Sequence, residues 1–253
     1  MIDLTGKVAL VTGASRGIGA ASARKLADCG AAVLLTARSG DAIDRLAGEI
    51  RAAGGAADAK TCDVSRYEDV SAAVDLCVER FGRLDILVNN AGLIDPISRL
   101  AESDPEDWAK VADVNYKGVY HGLRAALPVM LSQGSGIVVN ISSGAATSAL
   151  EGWSHYCSSK AAALALTRCA DKEYGDQGIR VVGLSPGTVA TDMQIAIKAS
   201  GINPVSQLDP SVHIPADWAA EAVVWLCSDA GAAYAGTDFS LKTEEGRRLV
   251  GLT

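Results

Sequence analysis

Aromatic residues are scarce in this chain, at 5% of 253 positions, and histidines number only three. The six cysteines (Cys29, Cys62, Cys77, Cys157, Cys169 and Cys227) form no C-x-x-C pair and no cluster with histidine. No metal site is therefore expected. A chain this long does not need disulfide staples, so the thiols read as small core or surface residues in a reducing cytosol. No uninterrupted apolar run approaches the roughly 20 residues that cross a bilayer. Met1-Ile2-Asp3-Leu4 does not open a secretory leader. The expected location is cytoplasmic, with no membrane partner. Basic residues are in deficit, 23 Lys+Arg against 30 Asp+Glu for a net charge of −7. That balance argues against a nucleic-acid partner.

What is present is apolar and small: 49% hydrophobic residues and 26 glycines. Short apolar runs alternate with helical stretches. Lys7–Thr12, Ala32–Ala37, Ala56–Thr61, Asp85–Val88, Gly136–Ile141, Ile179–Leu184 and Thr237–Leu241 read as strands. Ile18–Cys29, Asp41–Ala53, Tyr67–Phe81, Ser154–Tyr174 and Asp217–Cys227 read as helices, with a long one starting at Ser103-Asp104-Pro105. Most of the strands are continuous apolar runs, which implies a parallel sheet covered on both faces. The fold class is α/β, a doubly wound parallel sheet in a three-layer α/β/α sandwich. One domain spans residues 1–253. Gln194–Ile214 mixes Gly, Pro, Ser and Asn and breaks the rhythm, so a mobile substrate loop is expected at about 193–214.

Directly after the first strand comes Thr12-Gly13-Ala14-Ser15-Arg16-Gly17-Ile18-Gly19. Gly13 permits a sharp turn, Gly17 lets backbone approach a pyrophosphate, and Gly19 allows tight helix–sheet packing. The helix N-terminus behind them offers free N–H groups to an anion. The spacing is looser than G-x-G-x-x-G, and a methyltransferase-type nucleotide turn is a rival. The second strand ends in Arg38 and not in an acid. An acid there would bind the 2′-hydroxyl of NAD, whereas arginine accommodates the 2′-phosphate of NADP. Arg16 and Arg38 together favour NADP(H) over NAD(H).

Tyr156 and Lys160 stand four apart in a helical run, on one face. Bringing a tyrosine from near 10 to neutral pH needs roughly 4 kcal/mol, which a close ammonium in a dry pocket supplies. With these motifs in order, the chain resembles the short-chain dehydrogenase/reductase family, in its single-domain NADP(H)-type branch with a Rossmann-like fold. The resemblance rests on TGASRGIG (Thr12–Gly19), Asp63-Val64, NNAG (Asn89–Gly92), Asn115, ISS (Ile141–Ser143), YCSSK (Tyr156–Lys160) and PGTVAT (Pro186–Thr191). It implies Tyr156 as general acid or base, Ser143 as the donor that polarises the substrate oxygen, Lys160 as the group lowering the Tyr156 pKa and holding the nicotinamide ribose, and Asn115 as the holder of a relay water. It further implies cofactor contacts from Ser15 and Ile18 in the turn, from Asp63 and Val64 at the adenine, and from Asn90, Ala91 and Gly92 at its ribose. Pro186, Gly187, Val189 and Thr191 would lie at the nicotinamide. The expected activity is oxidoreduction of a small or medium apolar ketone or secondary alcohol.

The expected pocket is Leu93, Ile94, Ala145, Leu150, Trp153, Met193 and Ile195, with His155 on the rim or in an interface. The resemblance also implies a homodimer or homotetramer. Two alternatives stay open: a non-catalytic NADP(H)-binding regulator on the same fold, and a 3-oxoacyl-carrier-protein reductase. Against the latter, Leu131–Ser135 lacks a basic residue. The chain departs from the family after its last strand, where Ser240-Leu241-Lys242-Thr243-Glu244-Glu245 replaces an acid or Asn followed by two glycines.

Overall fold

The computed structural model describes residues 2–252. Seven parallel strands form one sheet in the order β3-β2-β1-β4-β5-β6-β7: β1 Val8–Thr12, β2 Ala32–Ala37, β3 Ala57–Thr61, β4 Ile86–Asn89, β5 Gly136–Ile141, β6 Ile179–Ser185 and β7 Asp238–Ser240. β1, β2 and β4 carry little but Val, Leu, Ile, Ala and Thr and are buried almost throughout. Helices must therefore cover both faces. α1 (Gly17–Asp28), α2 (Gly40–Ala52) and α8 (Ala216–Leu226) pack on one side, around Leu26, Ile43, Leu35 and Val223. α3 (Tyr67–Phe81), α5 (Gly118–Gln133) and α6 (Ser154–Tyr174) pack on the other, around Val74, Leu123, Met130 and Ala163.

The chain order reverses between β1 and β4, which opens a crevice at the carboxyl ends of the strands. The register of β1 against β4 is fixed from below by Asp85. Its buried carboxylate accepts from the Val8 amide at 3.0 Å and from two Arg83 nitrogens at 2.7 and 2.6 Å.

Three stretches differ from the sequence reading. The long helix is in three parts: α4 (Pro105–Ala112), a π-helical turn over Asp113–Lys117, and α5. Residues 193–214 are not plain loop. Helix α7 (Asp192–Ser200) starts behind Thr191, with Asp192 in its first turn, and ends at Gly201 in the left-handed region. Two 3-10 turns follow, Pro204–Gln207 and Pro210–Val212, capped by the Asn203 and Asp209 side chains. Prolines set the helical φ at each start and side-chain acceptors replace the missing bonds, so polar residues here cap helices. After β7 the chain enters a ninth helix, α9 (Glu244–Val250), whose N-terminus is capped by Thr243 Oγ1.

Candidate active site

The glycine turn is held by its neighbour across the switch point. Asn90 Nδ2 donates to the carbonyls of Thr12 and Gly13, at 2.8 and 3.1 Å, and Thr12 Oγ1 accepts from the Asn90 amide at 3.0 Å. A Cβ on Gly19 would stand 2.4 Å from Asn90 Nδ2, and one on Gly13 2.8 Å from Ala91 Cα. The Asn90 side chain is thus spent on the turn and leaves only its backbone, with Ala91 and Gly92, for a ligand. Gly13 and Gly17 both lie at positive φ, +64° and +54°. α1 begins with no side-chain cap and no acid in its first turn, so its first N–H groups are open to an anion.

The other residues expected to meet a nucleotide are mixed in character. Ser15 and Ile18 flank the turn, half-buried, and Arg38 is exposed at the end of β2. Arg16 does not join Arg38. Its guanidinium pairs at 2.6 Å with Asp192 at the start of α7, and both side chains are largely in solvent. An exposed pair of this kind is worth about 0–1 kcal/mol and is readily given up. Asp63 accepts from the Ser65 amide and hydroxyl at 3.0 and 2.7 Å. Burial pushes its carboxyl up, but those bonds and the nearby Arg38 hold it below the usual range. Val64 is buried and its carbonyl meets His121 Nδ1 at 2.8 Å. Pro186 and Val189 are buried, and Gly187 turns at φ +84° toward Thr191. These features fit a nicotinamide dinucleotide. A cleft of about 370 Å³ beside the turn, lined by Ser15, Arg16, Gly17, Arg24 and Arg45, holds none of Ser143, Tyr156 or Lys160.

Ser143 follows β5, and Tyr156 and Lys160 rise from the first turns of α6. Ser143 Oγ accepts from the Ala145 amide at 3.1 Å, which leaves its proton free to donate. Burial drives the Tyr156 phenol up to about 12, against the pull of the Ser143 hydroxyl. Burial likewise brings the Lys160 ammonium down to about 8. Lys160 Nζ donates to the Ile141 carbonyl at 2.6 Å and lies 5.7 Å from the Tyr156 ring centroid. Desolvation is the largest influence on the phenol, and the Lys160 ammonium faces a carbonyl.

Asn115 sits fully buried in the π-helical turn. Its amide both accepts from and donates to the Leu93 backbone, at 2.7 and 2.8 Å, and donates to Ser159 Oγ at 3.3 Å. The side chain is committed to the chain after β4, so any relay water must meet another atom. A wide turn of this type places one side chain out of α-helical register, as functional sites often require.

Ile94, Ala145, Trp153, Tyr156 and Ile197 form an apolar cluster, flanked by Leu150 and Met193. Trp153 meets the Tyr156 ring edge-on at 5.5 Å. Ile195 is corrected: on α7 it points outward, 71% exposed, and Ile197 takes the inward position. Leu93 lies outside the cluster, with its backbone held by Asn115. His155 is also corrected. It is 2% exposed, its Nε2 lies 2.7 Å from the Ile94 carbonyl, and burial lowers its pKa. It anchors the pocket wall from behind. Other contributors were hidden inside apolar patterns. Asn140 in β5 accepts from Asn89 Nδ2 and donates to Thr167 Oγ1, both at 2.9 Å. Only the polar residue inside GIVVNI hinted at it.

The family model for short chain dehydrogenase matches residues 7–200. A 3-oxoacyl-[acyl-carrier-protein] reductase of Synechocystis sp. is 37% identical over 236 residues, 92% of this chain and 94% of that protein. A cyclohexanol dehydrogenase of Acinetobacter sp. is 32% identical over 236 residues, 92% of each. A D-threitol dehydrogenase of Mycolicibacterium smegmatis is 36% identical over 240 residues, 93% of this chain and 91% of that one.

Proposed function

The chain belongs to the short-chain dehydrogenase family and is an oxidoreductase of that family, and from this premise we propose an NADP(H)-dependent enzyme acting on a small or medium ketone or secondary alcohol with an apolar body. The observation that carries the reading is Tyr156 in an apolar cluster with the Ser143 hydroxyl and the Lys160 ammonium both beside it, in a chain that also has an uncapped glycine turn. When bound, the dinucleotide supplies or accepts the hydride. Gly13, Gly17 and the α1 N-terminus would hold its pyrophosphate, Arg38 its 2′-phosphate, and Asp63 with Val64 its adenine.

The residues divide the proton chemistry among them. Ser143 donates its free hydroxyl proton to the substrate oxygen and fixes it beside Tyr156. Tyr156, protonated at neutral pH, gives its proton to that oxygen in reduction and takes one in oxidation. Lys160 keeps a positive charge behind the phenol. Asn115 acts as a positioning residue, tying the π-helical turn to Leu93 and so to the NNAG segment. The apolar wall of Ile94, Ala145, Trp153 and Ile197 excludes water. A homodimer or homotetramer is proposed as the working assembly.

A ketone and alcohol panel run with NADPH, NADP⁺, NADH and NAD⁺ tests the class directly. In it, Tyr156→Phe is expected to cut turnover by roughly 10²–10⁴-fold while leaving NADPH affinity nearly unchanged. A phenylalanine variant with the wild-type rate removes Tyr156 from its role.

A further inference from the structure

Lys242 follows β7 by two residues, where the chain turns toward α9. Its side chain lies over two loops of the active site. A Cβ built on Gly187 would stand 3.1 Å from Lys242 Cγ, and one built on Gly144 would stand 3.6 Å from Lys242 Nζ. The stem thus crosses the loop after β6, and the ammonium ends at the loop after β5. Gly144 lies between Ser143 and Ala145, so the charge is one residue from the oxygen-binding hydroxyl and one from the apolar wall.

This ammonium forms no ion pair among the described residues. Asp238, whose Oδ2 accepts from Ser185 Oγ at 2.8 Å and Ser142 Oγ at 3.2 Å, makes no bridge to it. Glu244 and Glu245, in the first turn of α9, make no bridge to it either. Lys242 is exposed in a chain of net charge −7 and sits over the loop that carries Ser143, where an ammonium can pair with an anion.

Resting on the oxidoreductase reading, the geometry points to Lys242 as a specificity residue that binds an anionic group, carboxylate or phosphate, at the non-reacting end of the carbonyl substrate. The ammonium ends against Gly144, in the loop that carries Ser143, while the stem crosses Gly187 at the expected nicotinamide end, so NADPH affinity separates a substrate contact from a cofactor contact. The substrate is then an apolar-bodied ketone with a charged tail.

The test compares kcat/KM with NADPH for two pairs: levulinate against methyl levulinate, and dihydroxyacetone phosphate against dihydroxyacetone. The wild type is expected to prefer the charged member of at least one pair, and which pair it is identifies the anion. Lys242→Met should lower that preference roughly tenfold, the scale of one charge-assisted hydrogen bond, and Lys242→Arg should keep most of it. A preference unchanged in Lys242→Met overturns the assignment. So does a matching loss of NADPH affinity, which would place the ammonium on the cofactor. If wild type oxidises NADPH with none of the four compounds, the oxidoreductase reading is at fault. Calorimetric affinity of levulinate and of dihydroxyacetone phosphate for the NADPH-loaded wild type and Lys242→Met then still decides the charge pairing. Tighter binding to wild type supports it, and equal or undetectable binding refutes it.

Discussion

The charge on Lys160 costs more than its place in a sequence motif implies. Burial brings that ammonium down to about 8, while the same burial holds Tyr156 up at about 12. Below pH 8 the lysine is charged and the phenol keeps its proton, the state that reduction needs. As pH rises through about 8 the charge behind the phenol is lost, so the reduction rate is expected to fall there. Oxidation needs the phenolate, so its rate should keep climbing as pH rises toward about 12. Initial rates in both directions against pH, at saturating cofactor, check the pair of slopes. A reduction rate flat to pH 10 would show that the Lys160 charge is not used. Arg38 is the other single-residue lever. Exposed at the end of β2 while Arg16 pairs with Asp192, it is the first residue to test for the proposed 2′-phosphate selection. Arg38→Asp should move the ratio of kcat/KM for NADPH over NADH toward NADH by at least tenfold, and an unchanged ratio sinks the assignment.

At the scale of elements, α6 matters most, because it carries both Tyr156 and Lys160. It is fixed to the sheet by a buried polar chain that runs from Asn89 in β4 through Asn140 in β5 to Thr167 in α6. Thr167 Oγ1 continues it to the Ala163 carbonyl at 3.0 Å. A buried donor or acceptor left without its partner costs about 1–3 kcal/mol. Asn140→Leu strands Asn89 Nδ2 and removes the donor to Thr167 Oγ1, which keeps only its bond to the Ala163 carbonyl. It should lower stability by about 2 kcal/mol in urea unfolding and reduce kcat more than it raises KM. Unaltered stability would mean that the chain is not under load. α5 comes close enough to meet this network because Gly122 has no Cβ; one there would stand 2.2 Å from Asn89 Oδ1.

For the molecule as a whole, the exposed aromatics bear on assembly. Tyr116 and Tyr120, at the π-helical turn and the start of α5, are 39% and 48% exposed in a chain with few aromatics. Aromatics are enriched in interfaces. A dimer or tetramer built on this face is expected, and light scattering at micromolar concentration measures it. A monomer throughout that range would rule the assembly out.

How far the sequence reached depended on the range of the forces involved. The strand and helix pattern was legible because burial on both faces writes itself as unbroken apolar runs. Tyr67–Phe81 and Ser154–Tyr174 coincide with α3 and α6 to the residue. The glycine turn and the Tyr156–Lys160 spacing were legible for the same reason, since one turn of chain fixes their geometry. Tertiary structure alone decided what distant segments do to one another. It turned Ile195 outward and Ile197 inward by setting the roll of α7. It buried His155 against the Ile94 carbonyl and spent the Asn115 amide on Leu93. It also gave Arg16 to Asp192, 176 positions away, and brought Lys242 over Gly144. Periodicity reports which face of an element is apolar. Which partner a polar group meets is set by the packing of whole elements, and no local pattern records that.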